Sequence, residues 1–490
     1  MPNIRLNKLC GQLVLPLSHI FTLSFNSQQV SDDWKHAHVK PLFKNGVASD
    51  PNNYRPISLT STCCRVMERI INKELIDYLL DKSLVSKVQH GFIRRRSTCS
   101  NLLECLQDWM LSIDNKRITD VIYIDFKKAF DQVSHNKLLL KLNSYGITGD
   151  LYGWIKSFLS NRTQAVKLDG CLSSVIAILS GVPQGSVLGP ILFVLFINDL
   201  VDCFKNLAVS TKLFADDLKL YTSYGLTDSS CDLTEALHRV TVWAKKWQLT
   251  INSTKCNVLR IVNPRCKNKS DIVYDLNGSS LKVLSVVKDL GVAVDKNLRF
   301  DNHISSVVHK SLQRANLILK CFQSRDRSLL MKAFKVYVRP LLEYATPVWS
   351  PHFMYLILKI EHVQRSFTKR LFGLKNLTYI DRLKQLEIDT LERRRLIYDL
   401  CTCFKIIHGY NDTCLDMNRM HLEGRPNNTR GHNLKLAKEM CRTDMLRFFF
   451  CNRICTVWNS LPLDVVNAPS VNSFKKRVSK FNLDRFLTLK

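Results

Sequence analysis

The chain has 490 residues, 46% of them hydrophobic, enough to bury a large core and build two or three lobes, which excludes wholesale disorder. Against 42 Asp and Glu stand 71 Lys and Arg, a formal net charge of +29 that is extreme for an ordinary metabolic enzyme and suits a polyanionic partner. The 17 cysteines occur singly or as the adjacent pair Cys63 and Cys64, which excludes the disulfide framework of a small secreted domain and reads as reduced thiols in an intracellular protein.

Leu9 to Phe25 is the most apolar early stretch, but Gln12, Pro16, Ser18 and His19 interrupt it and no small-residue cleavage site follows. It predicts a buried helix rather than a signal peptide. Val121 to Phe126 is β-branched and aromatic, a buried strand that delivers Asp125 at its C-terminal end. An acidic group there is costly unless something positive meets it. Ser180 to Pro190 is a Gly- and Pro-rich loop before a helix, and the apolar run Ile191 to Ile197 is too short to span a bilayer, so no membrane span is expected.

Lys212 to Tyr221 carries apolar residues on both sides of Asp216 and Asp217, the pattern of two strands joined by a tight turn. Neighbouring strand residues point to opposite faces, so one of the pair is expected to share a site with Asp125 and the other to lie beside it; Asp216 is the predicted ligand. Two carboxylates from separate strands suit a pair of Mg²⁺ ions completed by waters and substrate phosphates. Such a pair can activate an attacking hydroxyl and stabilise a leaving pyrophosphate. Taken singly, either segment reads equally well as turn or capping aspartates.

Strand and helix patterns alternate to about residue 300, and basic amphipathic helix follows, which predicts an α+β body with a helical tail. In the tail, Leu396, Leu400, Phe404 and Ile407 recur at helical spacing with Arg393, Arg394 and Arg395 on the preceding turn, so one side is expected to pack and the other to stay charged. Cys401, Cys403, His408 and Cys414 contain no Cys-x2-Cys pair and have apolar neighbours, which reads as helix core rather than a zinc site. Residues 411–433 are polar and hold Gly, Pro and Asn, the best linker candidate, and a compact segment is expected over 434–490.

Three segments in fixed order carry a family resemblance: DFKKAFD at 125–131, SGVPQGSVLGP at 180–190 and FADD at 214–217. In these the chain resembles non-LTR (LINE-type) reverse transcriptases, most of all the jockey-like and chicken-repeat-like group. WKHAHVKPLFK at 34–44, NYRPISL at 53–59 and QHGFIRRRST at 89–98 are similar to the family's fingers motifs, WQLTINSTK at 247–255 to its fourth palm motif, and the segment 284–294 to its primer grip. WNSLPLDVV at 458–466 and SVNSFKKRV at 470–478 resemble the group's C-terminal region, which speaks against a host polymerase such as a telomerase or an intron maturase.

The resemblance implies an α+β right-hand polymerase: fingers over 1–110, palm over 111–300, helical thumb and connecting region over 301–410, then the linker and the small C-terminal region. It implies an RNA-directed DNA polymerase that adds deoxynucleotides to a primer 3′-hydroxyl on an RNA template, using two Mg²⁺ ions with Mn²⁺ able to substitute. Its partners would be RNA template, DNA primer and dNTPs, in the nucleus, the cytoplasm or both. The family's endonuclease is expected to be absent from this chain, and oligomeric state is left open. Asp125 and Asp216 would bind the metals, with the Phe126 carbonyl as an extra ligand and Asp217 as the adjacent carboxylate. Phe130 would be the steric gate against a 2′-hydroxyl, Gln184 and Gly185 would lie against the incoming nucleotide, and Lys255 would protonate the leaving pyrophosphate. Arg55 and Arg96 would contact triphosphate or template backbone. Two departures stand out: Ile93 where the family usually has arginine, and Phe214 where it often has tyrosine. The alternative is a catalytically inactive, retroelement-derived nucleic-acid-binding protein.

Overall fold

The computed structural model describes residues 8–225, 231–263, 272–413, 415 and 432–489. In chain order its main strands are β1 (His36–Phe43), β2 (Tyr54–Leu59), β3 (Ile118–Ile124), β4 (Arg162–Leu168), β5 (Cys171–Leu172), β6 (Ile176–Ile178), β7 (Ser210–Phe214), β8 (Asp217–Tyr224), β9 (Asn257–Ile261), β10 (Lys282–Leu284), β11 (Val286–Asp289) and β12 (Val292–Asp295). One five-stranded sheet runs β2-β1-β4-β5 with β6 also on β4, and the second runs β10-β9-β3-β8-β7. In the first, β1 pairs antiparallel with β2 but parallel with β4, more than a hundred residues away. In the second, β3 is central and antiparallel to both β8 and β9.

β3 explains why the second sheet lies in the middle of the molecule. Its residues ITDVIYI are buried almost throughout, as a strand covered on both faces must be. Alternation then sends Val121 into one core and Ile122 and Ile124 into another. The front core holds most helices of the first 200 residues together with the helix Cys231–Trp247, and the back core holds the helix Thr98–Asp114 with most of the helices beyond residue 300, so the sheet is sandwiched between two helical layers.

The first helix, α1 (Cys10–Asn26), corrects the expectation of a buried helix: it has no buried residue, and Leu15 is 79% exposed. It is seated mainly through Phe21, edge-on to Trp34 at 6.0 Å, and Phe25. Its outward apolar side chains, with Val66, Met67 and Ile70 of α2 (Thr62–Asp81), line an open groove instead. α3 (Thr98–Asp114) starts with a capping box made by Ser97 and Ser100 and packs across the back of the sheet. α4 (Gly189–Ile197) is buried at every position from Ile191 to Ile197, as befits a helix apolar all round. No helix among the described residues is long and apolar enough to cross a membrane.

Beyond residue 300, α5 (Asp301–Cys321), α6 (Met354–Lys369), α7 (Leu391–Ile407), α8 (Phe450–Asn459) and α9 (Val471–Lys480) share one core with α3. On α7 the arginine run is not the solvated face the sequence suggested. Arg393 pairs with Asp389 and Asp484, Arg394 with Glu343, and Arg395 is 2% exposed near Glu361 and Asp399. Glu343 and the buried Glu361 from other helices, with Asp399 one turn further along α7, draw Arg394 and Arg395 inward. Cys401 and Cys403 are buried on the same helix, His408 is hydrogen-bonded to the Val466 carbonyl at 3.0 Å, and Cys414 lies outside the described residues. Most of the 411–433 stretch read as a linker also lies outside them. Where the chain is described again it returns to α3: Asp114 Oδ1 accepts from the backbone N–H of Arg442 and Thr443 at 2.9 and 2.7 Å.

Ile93 sits in a turn where Phe92 and Arg95 have left-handed φ of 59° and 62°. Its side chain is 5% exposed in the front core. An arginine at that position would bring an unpaired guanidinium into apolar surroundings, so Ile93→Arg is expected to destabilise the fold by about 3 kcal/mol. A urea titration checks this; an unchanged midpoint would mean that the turn can rotate the side chain outward.

Candidate active site

Asp125 is the first residue beyond β3, and the last β3–β8 pair, Ile124 with Leu218, brings it beside the turn that joins β7 to β8. The segment 248–256, which directly follows the helix Cys231–Trp247, fixes it from the other side. Asn252 donates from Nδ2 to Asp125 Oδ2 at 3.1 Å and from its backbone N–H to the Asp125 carbonyl at 2.8 Å. The Asp125 N–H points at Cys256 Sγ, 3.4 Å away, and Lys255 Nζ stands 3.9 Å from Asp125 Oδ2. Phe126 buries its ring edge-on to Trp243 at 6.4 Å, and its backbone bridges to Ile251.

Phe214 pairs with Asp217, leaving Ala215 and Asp216 as the two turn residues, with Ala215 in left-handed backbone at φ 56°. Asp216 is half-buried and Asp217 more exposed. Loss of hydration raises the Asp216 carboxyl above its ordinary range, and the Asp125 charge raises it further, against the pull of Lys44 and Arg55. Asp217 is pushed up to about 6, first by loss of hydration and then by Asp216 and Asp289. Lys44 follows β1 and Arg55 lies on β2, opposite Leu42 in the hairpin register, so the first sheet presents cations toward the carboxylates of the second.

The loop 180–189 threads between these parts. Gly181 N–H donates to the Val133 carbonyl at 2.8 Å, Val182 N–H to that of Phe130 at 2.9 Å, and Gln184 Nε2 to Asp131 Oδ1 at 2.8 Å. On the far side the Gln184 carbonyl accepts from Ser58 N–H at 2.6 Å. Phe130 is half-buried, stacked on Phe193 of α4 at 4.1 Å and edge-on to Phe92 at 6.3 Å. Gly185 has φ of +119°, and a Cβ there would lie 2.5 Å from the Ser58 carbonyl oxygen. Gly185→Ala is therefore expected to push the loop off β2 and lower kcat/KM by about tenfold or more, read from steady-state primer extension. An alanine variant with wild-type kinetics would show the loop free of β2 in the working state.

Arg96 is engaged differently from Arg55. Its Nη1 donates to the Ser86 and Gln89 carbonyls, both at 2.7 Å, and so braces the turn that carries Ile93, whereas Arg55 is exposed. Several residues here were not singled out from sequence. Lys44 closes the first fingers motif and Asn252 lies inside the fourth palm motif, so motif membership was the available signal. Glu68 gave none: it is fully buried on α2, and its Oε2 accepts from the N–H groups of Val187 and Leu188 at 2.7 and 3.0 Å, capping the start of α4.

These residues suit divalent cations by their donor chemistry. The Asp125 charge helps to raise the Asp216 carboxyl, and oxygen ligands in surplus negative charge are what hard cations select. Among the described residues no group of three or more His, Cys, Asp or Glu is placed to hold a metal ion.

A family model described as reverse transcriptase (RNA-dependent DNA polymerase) matches residues 42–294, just over half of the chain and all of the geometry above. The chain belongs to the reverse transcriptase family. The α+β right-hand fold expected from the motifs is the fold of that family. Among its relatives, the RNA-directed DNA polymerase from mobile element jockey of Drosophila funebris is 31% identical over 335 residues, 66% of this chain and 36% of that protein. The probable RNA-directed DNA polymerase from transposon BS of Drosophila melanogaster is 29% identical over 366 residues, 71% of this chain and 39% of that protein. The jockey-like, non-LTR resemblance read from the motifs thus holds, and this chain spans about two fifths of the length of the curated relatives it matches. A telomerase from Candida tropicalis in complex with a fragment of telomeric RNA is similar at 11% identity and a TM-score of 0.44, over 96% of this chain and 68% of that one. Reverse transcriptases as a family work with divalent metal ions.

Proposed function

We propose that this chain is the RNA-directed DNA polymerase of a non-LTR retrotransposon, extending a primer 3′-hydroxyl with dNTPs on an RNA template. What carries the reading is the meeting of Asp125, from the end of β3, with Asp216, from the β7–β8 turn, opposite the cations Lys44 and Arg55. Asp125, Asp216 and the Phe126 carbonyl would hold two Mg²⁺ ions, or Mn²⁺ in their place. When bound, these supply Lewis acidity to the primer hydroxyl and to the leaving pyrophosphate.

The chain's own side chains divide the remaining work. Asp217 keeps the neighbourhood anionic and Asn252 orients Asp125. Arg55, aided by Lys44, receives the triphosphate, for which a forked, permanently charged donor is suited. Lys255 is the proton donor to the departing pyrophosphate. Phe130, backed by Phe193, crowds the sugar at the 2′ position, while Gln184 and Gly185 form the floor under the nucleotide. Arg96 acts on the template strand through the turn it braces. In this reading residues 1–110 are the fingers, 111–300 the palm and 301–410 the thumb, and the basic helical region grips template and primer through phosphate contacts.

The test is extension of oligo(dT) on poly(rA) with Mg²⁺ and dTTP, with rUTP as the competing nucleotide. Wild-type protein is expected to extend and to prefer dTTP strongly. Phe130→Val is expected to raise relative rUTP use by about 10- to 100-fold, the range that a change of side-chain bulk against a substrate group supplies. Protein that binds the primed template and extends nothing would instead be the inactive nucleic-acid-binding form.

A further inference from the structure

A side chain from a different part of the chain hydrogen-bonds the backbone of the catalytic turn. Residues 88–91 run alongside β7: Leu213 N–H donates to the Val88 carbonyl at 3.0 Å, and His90 N–H donates to that of Leu213 at 2.9 Å. The segment ends in close contact with the turn, since a Cβ on Gly91 would lie 2.4 Å from the Ala215 nitrogen. Gln89 is fully buried between them. Its Oε1 accepts from Gly91 N–H at 2.8 Å and from Ala215 N–H at 3.0 Å.

Ala215 comes directly before Asp216, and its φ of 56° is one that L side chains disfavour. β7 ends at Phe214, so the Ala215 N–H is satisfied by Gln89. The Gln89 Nε2, also buried, has no hydrogen-bond partner among the described residues. The Gln89 side chain thus meets its polar surroundings through Oε1 alone, which is used twice.

We propose that Gln89 is a positioning residue for Asp216, fixing the carboxylate's direction by clamping the Ala215 N–H. This rests on the polymerase reading only for its effect on rate. Gln89→Met keeps the length of the side chain and removes the acceptor, whereas Gln89→Glu keeps an acceptor in place. Two readouts are taken on each full-length variant: hydrogen exchange of the Ala215 amide relative to β3 amides, and kcat and KM for dTTP on primed poly(rA). Gln89→Met is expected to speed Ala215 exchange by about tenfold or more and to lower kcat by a similar factor, with KM for dTTP unchanged. Gln89→Glu is expected to restore most of both. Ala215 exchange in Gln89→Met equal to wild type, or a kcat loss that Gln89→Glu does not repair, would overturn the proposal. If wild-type protein extends nothing, the polymerase reading falls and the exchange comparison still decides the clamp. Should Gln89→Met not fold, Gly91→Ala carries the same comparison, because it displaces Ala215 directly.

Discussion

Asp216→Ala is expected to abolish primer extension, by at least about 10³-fold, while leaving binding of primed template within about twofold. Asp216 is the turn residue whose carboxyl is raised by loss of hydration and by Asp125, so its removal relieves a repulsive cluster instead of breaking a structural contact. The variant should therefore fold at least as well as wild type. Asp217 gives the accompanying pH signature. A carboxyl pushed up to about 6 when folded, against an ordinary value of about 4 when unfolded, binds protons more tightly in the native state. Stability of the metal-free protein then falls as pH rises from about 4 through 6, and Asp217→Asn should flatten that fall. Thermal melts of wild type, Asp216→Ala and Asp217→Asn across this range, beside extension assays, separate the two roles. A destabilised Asp216→Ala would identify the carboxylate as structural and remove the basis of the active-site reading.

The parts legible in the sequence are those whose signal is local. β3 was readable because a strand buried on both faces is a continuous apolar run, and the β7–β8 hairpin because two such runs flank a polar pair. The α4 helix was readable because nothing polar interrupts it. What failed depends on distant partners. The parallel pairing of β1 with β4 joins segments more than a hundred residues apart, and no periodicity encodes which edge a strand joins. α1 looked buried because its composition is apolar, yet the neighbouring helices cover it only in part. Arg394 and Arg395 looked solvated because Glu343, Glu361 and Asp399, which turn them inward, arrive from other turns and helices. The same holds at the site: Asp125 and Asp216 were evident from their motifs, but the assignment of Arg96 to bracing and of Gln89 to clamping is visible only once strands and turns are in contact.

Lys219→Met is expected to destabilise the fold by about 3–5 kcal/mol, because it leaves a buried carboxylate without its cation. Lys219 on β8 is 1% exposed; its Nζ donates to Asp289 Oδ1 and Oδ2 at 3.0 and 2.9 Å and to Asn101 Oδ1 at 2.6 Å. The pair ties the catalytic sheet to β11, the hairpin strand that leads into the helical half. In the single variant Asp289 would keep, among the described residues, the Tyr123 hydroxyl 3.3 Å away as its side-chain donor. Replacing both partners, Lys219→Met with Asp289→Leu, should recover most of the loss, since matched apolar groups avoid the desolvation penalty of both charges. Burial disfavours the Lys219 ammonium, but Asp289 outweighs it and holds the group above its ordinary range. The pair's stabilisation is thus fully present below the unfolded lysine value of about 10.4 and is lost as pH rises through the higher folded value. Urea unfolding at pH 7 and pH 11 checks both statements. The double variant should lose less stability between those pH values than wild type does. A single variant within about 1 kcal/mol of wild type would mean that water reaches Asp289 and that the ion pair is not what holds the sheet to the helical half.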